Sequence, residues 1–276
     1  MADITQLNHH AMATYFEVRI ADEDPAYASQ AAQAACDLLD TLESKLSRFR
    51  LHSEVTQVTR LAAKETMRLT EPTFACLEIA KKMESLTRGA FSITAAARQT
   101  QISIPVWKLL PSEMTIQCES GLLHFDLGAI GKGFALDRMA DLLRHWDCPA
   151  FLLVAGGSSI LAGDPPRDTL GWSCGLGEDN AAMRFFLAHS SLSGSGLAVK
   201  GNHIFDPRTG LPAMRQSRAW VLADTAAESD ALSTACMVLS ESELGDVLRE
   251  DSSWLCFLET EQGPKPLGDR ALPLKA

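Results

Sequence analysis

Positive charge is scarce in this chain. Lysine and arginine number 25 against 35 aspartates and glutamates, a formal net charge of -10 over 276 residues. A dedicated nucleic-acid binder carries a basic footprint, so that class is disfavoured. An anionic small ligand is not excluded, because a metal ion and backbone amides supply positive potential locally. Ordered cysteine spacing is missing too. The seven cysteines (Cys36, Cys76, Cys118, Cys148, Cys174, Cys236 and Cys256) are odd in number and contain no Cys-x-x-Cys pair. That excludes a disulfide framework and a zinc ribbon, and a reducing compartment is the simpler reading. The opening MADITQLNHHAMATYFEVRI lacks a basic start followed by an apolar run, so no signal peptide is read there. No uninterrupted apolar stretch is long enough to span a membrane, and a cytoplasmic protein is expected. The common site motifs are absent as well. There is no P-loop, no dinucleotide glycine fingerprint and no Gly-x-Ser-x-Gly elbow. Neither an internal repeat nor a Pro-, Gly- or Ser-rich linker divides the chain.

What is present organises itself around DLGAIGKGFALDRMADLLRHW, Asp126 to Trp146. Phe125, Asp126 and Leu127 read as the end of a strand. Gly128, Gly131 and Gly133 follow, and then Ala135, Met139, Leu142, Leu143 and Trp146 recur at helical spacing. A glycine turn at a helix N-terminus offers free amides and close approach, which suits phosphate. A tight turn without a ligand is the competing reading.

The rest of the chain predicts an irregular mixture. Apolar periodicity places helices over 25–46 and 71–86, the second with Thr70 as its N-cap. Ser53 and Glu54 open a short helical turn, and a further helix is expected over 227–239. Met12 to Ile20 has strand alternation. His9 and His10 just before it point to opposite faces of an extended segment, so they form no metal pair. Strands are expected over 150–155, 158–163, 171–176, 182–187, 190–193, 219–223 and 254–258. A hairpin is expected over 115–127, turning at Glu119–Gly121. The many late strands predict an α+β fold in a single domain spanning 1–276.

Two stretches carry chemistry of their own. In ESDALSTACMVLS, Asp230 and Thr234 are four apart and share a helical face. A carboxylate and a hydroxyl there are hard oxygen ligands of the kind magnesium prefers. The alternative is helix capping by Ser229 or Asp230. In GNHIFDPRTG, His203 is the candidate general base, since imidazole titrates near neutrality, and Asp206 is the candidate to orient it.

The ordered set DLGAIGKGFALD, VAGGS, LSGSG, HIFDPRTG and SDALSTA resembles the ApbE family, the FAD:protein FMN transferases. MATYFEV and LSRFRLHSEVTQV look like that family's opening, so the resemblance runs over roughly residues 12–240. It implies a single α+β domain that binds FAD and magnesium, moves FMN to a Ser or Thr hydroxyl of an acceptor flavoprotein and releases AMP. By the same resemblance Asp126 and Lys132 lie along the FAD and Met12 packs on the flavin. The Ala129 carbonyl, Asp230 and Thr234 would bind magnesium, and His203 would be the base. Two other activities share these motifs: an FAD pyrophosphatase giving FMN and AMP, and a flavin-binding protein without turnover. The chain also departs from the family pattern. Val154 and Ser158 stand where Asn and Asp are usual, Ser92-Ile93-Thr94 replaces Asp-Pro-Thr, and Met12-Ala13-Thr14 replaces Met-Gly-Thr. The stretch between Thr94 and Asp126 is short for the family.

Overall fold

The computed structural model describes residues 3–95, 105–177, 183–197, 204–213 and 215–275. Its spine is an antiparallel sheet that starts from a hairpin. β1 (Ile4–Ala11) and β2 (Thr14–Ala21) are joined by Met12 and Ala13, whose φ angles of 50° and 58° are both left-handed. Two such residues in succession form the turn whose twist matches the flanking strands. In β2, Phe16, Val18 and Ile20 are buried while Tyr15 and Glu17 face outward. Beside it lie β6 (Phe151–Ala155) and β7 (Ser159–Ala162), joined through Gly156–Ser158. β10 (Ser190–Gly196), β11 (Arg218–Ala223), β12 (Leu255–Thr260) and β13 (Gly263–Leu267) complete it. The order across the sheet is β1-β2-β6-β7-β10-β11-β12-β13.

Pleating sends successive side chains to opposite faces, and each face has its own cover. Phe151, Leu153 and Ala155 of β6 join the larger cluster, which runs in sequence from Ala11 to Leu258. Leu152 joins a smaller one, shared with a hairpin of β8 (Trp172–Leu176) and β9 (Met183–Leu187). Helices cover the larger face. α1 (Pro25–Leu46) is capped by Asp24, which accepts from Ala26 N and Tyr27 N, and buries Ala28, Ala32, Ala35, Leu39, Leu42 and Leu46. With it lie α2 (Glu54–Val58), α3 (Glu71–Leu86), α4 (Gly131–His145), α5 (Ala226–Cys236) and α6 (Glu241–Leu248). A small sheet of β3 (Thr66–Arg68), β5 (Thr115–Ser120) and β4 (Val106–Leu110) stands apart. The architecture is α+β, as the patterning predicts. Among the described residues no helix is long and apolar enough to cross a membrane.

Several local expectations are corrected. No hairpin turns at Glu119–Gly121. β5 pairs backwards with β4 across Pro111–Glu113, closed by Met114 at φ 47°, and residues 122–127 form no strand. The prolines at 105 and 111 hid β4 from a propensity reading. Thr70 sits at the N-cap of α3, but its side chain makes no cap bond. Its amide and hydroxyl both donate to Glu54 Oε2, at 3.1 and 3.0 Å. The helix expected to reach residue 239 ends at Cys236, and α6 follows with its own capping box of Ser240 and Glu243. The patterning predicts neither β3 nor β13, and shows β1 only as an extended segment at His9 and His10. β1 and β13 lie at the two edges of the main sheet, where alternation is weak and the prolines of GPKPL are tolerated. His9 and His10 diverge as expected: His9 Nε2 lies 2.8 Å from Asp40 Oδ1, and His10 stacks edge-on with Tyr15.

One glycine is dictated by packing. A Cβ on Gly133 would lie 2.0 Å from the Ala226 carbonyl oxygen, so α4 and α5 touch backbone to backbone. Gly133→Ala should therefore force the helices apart and lower stability by about 2–3 kcal/mol or more, the upper range for overpacking. Urea denaturation of variant and wild type checks this.

Candidate active site

The glycine turn does not present a row of free amides. Asp126 Oδ1 accepts from Gly128 N at 2.9 Å, and the Leu127 carbonyl accepts from Ile130 N at 3.1 Å and Gly131 N at 2.6 Å. Gly133 N donates to Asp230 Oδ2 at 3.1 Å. The turn is thus largely satisfied from within the protein, which corrects the phosphate-cradle reading of its glycines. The chemistry gathers instead at Asp230.

Asp230 is 3% exposed. A carboxylate so buried must be paired or bonded, and two elements supply its partners. From α4 come the Gly133 amide and the Lys132 ammonium, whose Nζ lies 3.3 Å from both carboxylate oxygens. From β7 comes Ser159, its Oγ 3.3 Å from Oδ1. Thr234 follows one helical turn along α5, with Oγ1 3.5 Å from the Asp230 carbonyl. The capping alternative for Asp230 fails, because α5 is capped otherwise. Asp137 of α4 accepts from Ala226 N at 2.7 Å and Ala227 N at 2.8 Å, and the Thr225 hydroxyl accepts from Glu228 N. Each helix therefore hands a carboxylate to the N-terminal amides of the other. Anions at helix N-termini are favoured, and the exchange locks the pair. Ser159 and Asp137 have no signal of their own in the sequence, and Gly133 is read only as part of the glycine turn, since each partner lies 71 to 97 residues away.

The other expected residues divide. Lys132 and Asp230 meet, and Thr234 lies one helical turn from Asp230. Ala129 is partly buried in the turn before α4. Asp126 turns elsewhere: its carboxylate pairs with Arg48 at 3.0 Å and lines a cleft of about 260 Å³ with Thr56, Thr59, His124 and Phe125. Met12 sits in the β1–β2 turn, partly buried against the larger cluster. His203 lies outside the described residues. Asp206, expected to orient it, is held by Arg208, whose Nε and Nη2 both lie 2.9 Å from its carboxylate. Those bonds hold the Asp206 carboxyl below its usual range despite burial.

No metal is implied by acidic clustering: among the described residues no group of His, Cys, Asp or Glu of three or more is gathered. The donor chemistry nevertheless fits magnesium, which takes hard oxygens, commonly one or two carboxylates, and keeps its other positions for water or phosphate. Asp230 and Thr234 supply a carboxylate and a hydroxyl on one face, and the Lys132 ammonium pairs with that carboxylate.

Comparison with known proteins addresses the same residues. Residues 12–257 match the ApbE family, a span that holds the glycine turn, Asp230 and Thr234. The chain belongs to the ApbE family. A relative from Escherichia coli strain K12, an FAD:protein FMN transferase, is 21% identical across 95% of this chain and 85% of its own length. One from Treponema pallidum, of the same name, is 29% identical over 49% of this chain and 43% of its own. The solved flavin transferase ApbE from Vibrio cholerae shares the fold at a TM-score of 0.80 and 20% identity, covering 96% of this chain and 97% of that one. The ApbE protein of Thermotoga maritima does so at 0.81 and 21%, with coverage of 96% and 97%.

Within this ApbE-family chain the unusual Val154 and Ser158 have ordinary roles. Val154 pairs across β6 with Glu17 and Ile160, and its side chain packs on the smaller cluster. The Ser158 carbonyl accepts from Gly194 N at 2.7 Å, tying the β6–β7 turn to β10.

The Asp137 clamp carries a titratable group. Burial pushes its carboxyl up to about 7, against the lowering pull of the Ala226 and Ala227 amides. A carboxyl raised on folding binds a proton more tightly in the native state, so its stabilising contribution falls as pH rises from about 4 towards 7. Asp137→Asn should remove that slope. Urea midpoints of both proteins from pH 4.5 to 8 (about the span of the raised carboxyl's titration) check it, the difference between them changing most below neutrality.

Proposed function

We propose that this ApbE-family chain is a magnesium-dependent FAD:protein FMN transferase. The observation that carries the reading is the meeting of Lys132 and Asp230 at the α4–α5 contact, from segments 98 residues apart, with Thr234 one helical turn from Asp230. In the reaction an acceptor Ser or Thr oxygen bonds to the phosphorus of the FMN moiety. The pyrophosphate bond to the AMP phosphate breaks, AMP leaves, and the acceptor proton passes to a base. Such transfers are largely positioning and charge neutralisation. Lys132, about one-fifth exposed at its side chain, is the cation assigned to the diphosphate. Asp230, Thr234 and the Ala129 carbonyl would hold magnesium, which when bound supplies charge neutralisation for the phosphate oxygens. Met12 and Asp126 are assigned to the FAD and His203 to the base, on the family resemblance and the chemistry of the residue types.

Incubating the protein with FAD and magnesium, with and without an acceptor flavoprotein, tests the reading. Transfer yields AMP together with an acceptor heavier by FMN. Free FMN and AMP without an acceptor would mean a pyrophosphatase, and no AMP under either condition would leave only flavin binding.

Two variants probe the parts. Asp230→Asn keeps an acceptor for the Gly133 amide but loses the charge. Magnesium-dependent AMP release should fall by roughly a hundredfold or more, at or beyond the loss seen for residues that merely support a metal ligand. Activity at the wild-type level would remove Asp230 from the site. His203→Asn should retain FAD binding while transfer at saturating FAD, magnesium and acceptor slows by roughly a hundredfold, the scale of losing one acid–base group. Equal rates would exclude His203 as the base.

A further inference from the structure

The contact between α5 and the sheet is built of hydroxyls where apolar side chains would be ordinary. Ser191, Ser193 and Ser195 alternate along β10 with Leu192 and Gly194, so they share one face. Ser229 and Ser233 lie one turn apart on α5. Ser229 Oγ is 2.8 Å from both Ser191 Oγ and Ser193 Oγ, and Ser233 Oγ is 2.9 Å from Ser195 Oγ. Ser191, Ser193, Ser229 and Ser233 are each 0% exposed. Apolar packing tolerates small slides of a helix. Buried hydroxyls do not, because a slipped register leaves them unpaired.

The last rung reaches a residue of the site, and its direction can be worked out. Ser195 Oγ also lies 3.2 Å from Thr234 Oγ1. Ser233 has a single hydroxyl proton and donates it to the Asp230 carbonyl at 2.9 Å. Its oxygen therefore accepts from Ser195. With the Ser195 proton spent, the Ser195 oxygen accepts from Thr234 at 3.2 Å, a closer acceptor for that proton than the Asp230 carbonyl at 3.5 Å. The chain of donation runs from Thr234 to Ser195 to Ser233 to the Asp230 carbonyl. It turns the Thr234 proton inward and leaves lone pairs of Oγ1 for a hard cation.

We propose that Ser195 is a positioning residue, orienting the Thr234 hydroxyl as a metal ligand at the end of a hydroxyl ladder that sets the register of α5. The proposal rests on the reading of Asp230 and Thr234 as the metal site. The test is titration of the nucleotide-free protein with Mn²⁺, another divalent ion that accepts oxygen ligands, counting free ion by electron paramagnetic resonance. Ser195→Ala should weaken Mn²⁺ binding by about tenfold or more, the usual effect of losing a residue that supports a metal ligand. Ser195→Thr, which keeps the hydroxyl, should restore it. Ser191→Ala removes a rung far from Thr234 and should lower the melting temperature while leaving Mn²⁺ affinity unchanged. Wild-type affinity in folded Ser195→Ala overturns the proposal, as does an equal loss in Ser191→Ala. Should Ser195→Ala fail to fold, Ser195→Cys, a poor donor, is read in the same way. Wild type that binds no Mn²⁺ would overturn the metal-site reading itself, a result separable from the others.

Discussion

The buried charge of Asp230 is the constraint around which the centre of this protein is arranged. A carboxylate removed from water is tolerated only where cations and donors replace the lost hydration. Here they come from Lys132, Gly133 and Ser159, on α4 and β7, while the carboxylate itself rides on α5. For the Gly133 amide to reach it, the two helices must approach until there is no room for a Cβ at position 133. The glycine, the close crossing and the buried charge are thus one requirement seen three ways. Asp137 repeats the device in the other direction, gripping the first amides of α5.

That arrangement changes the meaning of the glycine-rich turn. Its amides serve the fold, and its contribution outward is Lys132, held where it faces both Asp230 and the surface. The sheet contributes at the same place. The turn carrying Met12 and the turn carrying Gly156 are joined by the Gly156 amide on the Tyr15 carbonyl, and the Ser158 carbonyl receives the Gly194 amide. Three sheet segments are thereby tied together next to Ser159, the strand residue that touches Asp230. Val154 and Ser158 fit this frame through backbone pairing.

The thiols complete the picture of an interior without covalent staples. All seven cysteines are free and buried, and burial alone pushes the Cys76 thiol up to about 12. They pack as small apolar side chains, in keeping with a spacing that offers no disulfide framework.

Much of this is legible in the sequence alone. The bounds of α1 and α3 follow from apolar periodicity and from Pro25 and Pro72 in their first turns, and the α+β class follows from the irregular alternation. The pairing of Asp230 with Thr234 follows from four-residue spacing on one helix. These are local properties, and local chain geometry decides them. What the tertiary structure decided was every relation between distant segments. β5 pairs with β4 rather than with the residues after it. Asp126 turns to Arg48 while Lys132 turns to Asp230, although both belong to one motif. Asp206 is bound by Arg208, and Ser195 reaches Thr234 across the sheet–helix contact. Spacing along a chain reports which side chains share a face. Which faces meet is set by the burial of the whole core and by the need to satisfy each buried charge and hydroxyl, and that need is visible only once the chain has folded.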